Sequence, residues 1–165
     1  MKILWGFREG GKTMDKIKKY LPLAAAVAGA LALILFIACP AIVYKTPYGT
    51  REWNGMDVTV GDDGSYKFSF MLFVAVVLAI AGVACAVLSY LKPENKMFAL
   101  IAAACFAVAA ILFFCTVAFA QLDGVSKEYA KELKKELDLG VGAIFAAILS
   151  IVGAGAAAAP VVLNK

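Results

Sequence analysis

The sequence contains no histidine, and this absence removes the commonest general base and the commonest metal ligand together. Zinc, haem and Ser-His-Asp chemistry lose their usual donors. Cysteine is scarce too: Cys39, Cys85, Cys105 and Cys115 all lie inside apolar segments, and the polar loops hold none. A secreted disulfide framework is excluded. Cys39 and Cys115 share a depth, so a bridge between them is geometrically conceivable; packing as small polarizable side chains is the other reading. Ionisable residues are missing from four long stretches. Proton and ion relays need such groups inside the membrane, so a chain without them is not built for either.

What is present is hydrophobic. Residues of that kind make up 63% of the chain and its mean hydropathy is +0.85, against about 45–50% apolar in a globular domain. A bilayer core of about 30 Å takes about 20 apolar residues as helix. The uncharged segments 21–44, 68–91, 97–120 and 141–163 each meet that length. The fold class is therefore an all-α membrane protein: a four-transmembrane-helix bundle with a small extracellular antiparallel β-meander and an extracellular amphipathic helix. The expected order is a basic amphipathic arm (1–20), TM1 (21–44), an outer β-rich loop (45–67), TM2 (68–91), a cytoplasmic turn (92–96), TM3 (97–120), an outer helix (121–140) and TM4 (141–163).

Charge sets the threading. The arm, the Lys92 to Lys96 turn and Lys165 carry nine Lys or Arg against three acids, whereas the other two loops carry seven against nine. The positive-inside rule then puts both termini in the cytoplasm of a cell-membrane protein. The net charge of +4 reflects this topology and is no footprint for nucleic acid. In the arm, Met14, Ile17 and Leu21 recur at helical spacing, Trp5 suits the headgroup level, and the lysines suit anionic lipid. The arm also holds a formal phosphate-loop match, Gly6 through Gly11-Lys12-Thr13. Such loops need a strand before them and an α/β sheet around them, and here a membrane span follows, so no cofactor is expected.

Small residues form stripes. They are Ala25, Ala28 and Ala32 in the first span, and Ala75, Ala79, Gly82, Ala86 and Ser89 in the second. The third has Ala99, Ala103, Ala107 and Ala110, and the fourth Gly142, Ala146, Ser150, Ala154 and Ala158. Because lipid tails are as apolar as leucine, helices in membranes associate through close backbone approach, which such stripes permit. A tight bundle follows, and the same surfaces suit a homo-oligomer or a larger membrane protein.

The first outer loop reads as β-structure. Asn54-Gly55 is a strong hairpin signal, with strands expected over 48–53, 56–60 and 66–70. Asp57, Asp62 and Asp63 stand around a glycine turn, either as a solvated turn or as calcium ligands. The second loop reads as a helix with Ser126 as N-cap, Gly140 as stop and an apolar stripe of Val125, Tyr129, Leu133 and Leu137. Glu128, Glu132, Lys131 and Lys135 add neighbours of mixed sign one turn apart.

In threading the chain resembles the claudin family, which has four spans, cytoplasmic termini and a β-rich first outer loop. Claudins carry a Trp followed by Gly-Leu-Trp and two loop cysteines; here Trp53-Asn54-Gly55 stands without them, so no functional residue carries over. Small multidrug transporters also have four spans, but they depend on a membrane glutamate this chain lacks.

These features point to a non-catalytic assembly, recognition or accessory subunit acting through its outer loops. Tyr48, Trp53, Tyr66, Tyr129 and Leu133 are the interface candidates. An oligomeric channel with small-residue walls is the alternative. An enzyme would have to rely on Glu52, Asp57, Asp62 and Asp63.

Overall fold

The computed structural model describes residues 2–62 and 64–163, with side-chain surroundings from Lys16 onward. In chain order the elements are α1 (Lys2–Ala38), β1 (Pro40–Thr46), β2 (Gly49–Asn54), α2 (Gly55–Val60), β3 (Tyr66–Lys67), α3 (Phe70–Leu91), α4 (Lys96–Phe114), α5 (Thr116–Phe119), β4 (Gln121–Leu122), α6 (Lys127–Glu136), β5 (Leu137–Leu139) and α7 (Val141–Val162). Four helical stretches, residues 16–38 of α1 together with α3, α4 and α7, are long and apolar enough to cross a membrane. Their 19–23 residues span about 30 Å at about 1.5 Å per residue. The chain thus fits a multi-pass membrane protein.

The first span is shorter than its apolar run suggests. Helix α1 stops at Ala38, and Pro40–Tyr44 belongs to strand β1. Proline has no N–H for the helix ladder and pushes the residue before it out of the α region. Ile42, Val43 and Tyr44 behind it are β-formers. The third span likewise ends early: α4 breaks at Cys115, and the single-turn α5 follows.

The four long helices close into a ring in which α1 packs on α3 and α7, and α4 packs on the same two. Inward faces are built from small residues. Ala25, Ala28 and Ala32 of α1 are buried, as are Ala75, Ala79, Gly82, Ala86 and Ser89 of α3. In α7 the buried set is Gly142, Ala143, Ala146, Ala147, Ser150, Gly153 and Ala157, so the expected stripe departs from the core at its far end, leaving Ala154 and Ala158 half-buried. A strict four-residue step turns about 40° per repeat on a helix of 3.6 residues per turn, so by the third repeat Gly153 and Ala157 have replaced them.

Helix α4 supplies two of the bundle's large buried side chains, in addition to Phe36 of α1 and Leu72 of α3. Its buried positions are Ala99, Ala102, Phe106, Ala109, Ala110 and Phe113, which corrects the expected alanine stripe: Ala107 faces out and Ala103 is half-buried. Three faces of Gly and Ala leave a gap along the axis that close packing requires to be filled. The Phe106 ring fills it by lying over Gly82 of α3 and Gly29 of α1, where an added Cβ would meet the ring closer than 3.0 Å, and against Gly153 of α7, where it would meet it at 3.3 Å. Two turns toward the sheet, Phe113 packs on Phe36 of α1 with centroids 4.6 Å apart and ring planes tilted by 39°.

At one end of the bundle the two long loops fuse into a cap. One antiparallel sheet has the order β2-β1-β5 and the other pairs β3 with β4, so each sheet joins the first long loop to the second. The loops therefore lie on the same side. The expected β-meander is corrected here: the hairpin turns at Pro47-Tyr48, with Thr46 opposite Gly49. Asn54 is instead the N-cap of α2, accepting from Asp57 N at 3.0 Å while Asp57 Oδ2 accepts from Asn54 N at 3.3 Å. Ser126 caps α6 as expected, but that helix stops at Glu136. Gly140 is the N-cap of α7, with its N–H donating to Ala41 O at 2.8 Å.

Candidate functional site

The cap carries a cleft of about 660 Å³ between the sheet and the chain leading into α6. Strand pairing builds its floor. Leu137 of β5 lies opposite Tyr44 of β1, and Tyr44 opposite Arg51 of β2. Because side chains alternate across a strand, this row faces the cleft with Thr46, Gly49 and Trp53, while Lys45 and Asp138 form an ion pair at 3.1 Å outside it. Ser65, Tyr66, Leu122, Asp123, Val125 and Leu133 make the other wall.

Four of the five interface candidates meet in this cleft: Tyr48, Trp53, Tyr66 and Leu133 all line it. Tyr129 does not; it stands 55% exposed on α6. Tyr48, at the hairpin turn, is fully exposed. Tyr66 is not the surface residue that was expected: it is 2% exposed and belongs to a small core with Ile42, Val58, Leu72 and Ala120. Trp53 presses its ring edge-on to Tyr66, with centroids 5.2 Å apart at 79°. The interface candidates omitted Tyr44, Arg51, Leu122 and Asp123, and Leu137 entered the sequence reading only as part of the apolar stripe of the second loop. Pro40, which ends the span before Tyr44, was the available signal for the first of these.

Local electrostatics distinguish the lining residues. Tyr44 donates to Glu136 Oε2 at 3.2 Å, and this hydrogen bond to a carboxylate raises its pKa. Asp123 accepts from Lys67 at 2.8 Å, which holds its carboxyl below the usual range. Lys134 reaches Ala118 O at 2.7 Å, fastening α6 over α5, and burial lowers its pKa. Burial pushes the Tyr66 phenol up to about 12. Among the described residues three buried side-chain hydroxyls lack a partner, on Thr59, Tyr66 and Ser150. Of these only Tyr66 lines the cleft.

Other candidates find different roles. Asp57 is committed to the α2 cap, and Asp63 lies outside the described residues. No described group of three or more His, Cys, Asp or Glu is placed to hold a metal ion. Residues 6–13 run within α1, where no loop exists to wrap a phosphate; the side chains of Trp5, Lys12 and Met14 lie outside the described residues. All four cysteines are free thiols. Comparisons with protein-family models, curated proteins and solved structures found no match.

Proposed function

We propose that the chain is a non-catalytic, multi-pass protein of the cell membrane that recognises a partner through its cap, as an assembly or accessory subunit. In this reading the cap lies outside the cell and both termini lie in the cytoplasm, in keeping with the excess of Lys and Arg at the opposite end. Lys16 and Lys19 meet anionic lipid there, while Lys18 donates to Leu163 O at the end of α7, where a cation suits the helix dipole. The observation that carries the reading is the convergence of Tyr48, Trp53, Tyr66 and Leu133 on one concave site. Aromatic side chains around a pocket dominate binding energy at interfaces.

Most of the small-residue stripes pack inside the single chain, beside the buried rings of Phe36, Phe106 and Phe113, which supports the recognition reading over an oligomeric channel walled by those residues. The outward surface presents large groups such as Val27, Leu31, Ile34, Phe73, Val77, Ile80, Val108 and Ile148, which suit lipid.

Photocrosslinking tests the proposal. A photoreactive residue at Tyr48 or Leu133, in membranes of the host organism, should give one adduct of defined mass, and the same probe at Ile80 or Ile148 should give none. Adducts from the bundle positions alone would overturn it. Cysteine labelling at Asn54 and Lys131 should occur from outside intact cells; labelling only after permeabilisation would reverse the topology.

A further inference from the structure

We propose that the cap cleft binds a small amphipathic carboxylate, with its apolar body between the sheet and α6 and its carboxylate on Arg51. This rests on the recognition reading and names the chemistry recognised.

Size is the first support. A volume of about 660 Å³ falls within the range of about 300–1,000 Å³ typical of small-molecule sites, which pair apolar walls with a few placed polar groups. Tyr44, Trp53, Leu122, Leu133 and Leu137 supply such walls. Charge is the second. Arg51 has no carboxylate partner among the described residues: the two ion pairs are Lys45 with Asp138 and Lys67 with Asp123. Among the described residues the only lining carboxylate is Asp123, and it is neutralised by Lys67. Glu136, beside the sheet, accepts from Tyr44 at 3.2 Å. A guanidinium fork matches the geometry of a carboxylate with two parallel N–H donors.

The third support is Tyr66, which lines the cleft and whose buried hydroxyl has no partner. Buried polar groups are nearly always hydrogen-bonded. A guest bearing an acceptor beside Trp53 would complete this one after a small shift of the indole, and would thereby be oriented with its charged end toward the rim at Arg51. Ser150 and Thr59, the other unpartnered hydroxyls, do not line this cleft.

The full chain in phosphatidylcholine vesicles provides the test. The sequence has two tryptophans, Trp5 and Trp53, so Trp5→Phe leaves Trp53 as the sole indole reporter on the cleft wall. Phenylbutyrate, phenylbutanol and phenylbutylamine share one body and differ in head group. Phenylbutyrate should change Trp53 emission saturably and bind about tenfold more tightly than phenylbutanol, with phenylbutylamine weakest. Arg51→Gln should erase the preference for the acid, and Lys45→Gln, outside the cleft, should leave it. Phenylbutyrate has no acceptor besides the carboxylate placed on Arg51, so Tyr66→Phe should leave its affinity unchanged, whereas 4-oxo-4-phenylbutyrate, whose ketone accepts from the phenol, should bind Tyr66→Phe about two- to tenfold more weakly than the parent chain.

Equal affinity for acid and alcohol, or a preference that survives Arg51→Gln, would overturn the carboxylate assignment. No saturable response to any of the three, with Trp53 emission still that of the folded chain, would overturn the cleft as a small-molecule site. Either failure leaves the crosslinking pattern as a separate test of the recognition reading.

Discussion

Gly82→Ala probes the centre of the bundle. A Cβ added there would stand 2.8 Å from Phe106 Cε1 and 2.9 Å from Cδ1, whereas carbon atoms rest at about 3.5–4.0 Å. The ring cannot retreat freely, because Gly29 of α1 and Gly153 of α7 close on its other sides. Overpacking of this kind costs about 1–3 kcal/mol. Gly→Ala in a helix also gains up to about 1 kcal/mol of propensity, so the informative comparison is with Gly155→Ala. An added Cβ at Gly155 meets nothing within 4 Å. Gly155→Ala should be neutral or stabilising, and Gly82→Ala should fall about 1–3 kcal/mol below it. Phe106→Ala reverses the sign: in its cavity the methyl at position 82 finds space, so the double mutant should be better than additive by about 1 kcal/mol or more. Reversible unfolding in dodecyl maltoside micelles titrated with dodecyl sulfate measures the parent and all four variants. Equal stability of the Gly82 and Gly155 variants, or simple additivity with Phe106→Ala, would refute the packing described.

Tyr66→Phe removes an unpartnered buried hydroxyl and should raise the stability of the ligand-free chain by about 1 kcal/mol or more; a loss of that size would mean the hydroxyl has a partner. With a folded pKa of about 12 against an ordinary 10.0, Tyr66 leaves stability intact below pH 10.0 and erodes it as pH rises toward about 12, by about 2–3 kcal/mol in total. Alkaline melting curves should show that loss in the parent chain and not in Tyr66→Phe. Asn54→Ala breaks the reciprocal cap with Asp57 and should cost about 0.5–2 kcal/mol, seen as faster hydrogen exchange over 55–60. Unchanged exchange there would mean that α2 does not depend on its cap.

The number of spans, the turn between the second and third, the inward alanines of α1 and α3 and the Ser126 cap were legible because each is a local pattern. The end of the first span was not, since hydropathy treats Ile42, Val43 and Tyr44 alike as helix or strand, and only Pro40 marks the change. Asn54-Gly55 misled for a related reason: Asn followed three residues later by Asp serves a helix cap as well as Asn-Gly serves a hairpin. Packing from the rest of the cap decided between them. Strands β3, β4 and β5 have two or three residues each, too few for any alternation to show, and they exist through pairing between loops far apart in sequence. Phe106 was hidden because its partners are single glycines on three other helices. The cleft inherits these gaps: the aromatics of its rim were visible, but Tyr44 and Arg51 became neighbours only through the register of β1 and β2.

Recognition through the cap is tested most directly by hydrogen exchange of the chain in the membranes of its host organism, compared with the same chain purified into phosphatidylcholine vesicles. Slower exchange in the host membranes over 49–54 of β2 and 122–137 around α6, with the four spans unchanged, is the predicted result. Identical exchange in the cap, or added protection confined to the spans, would contradict it.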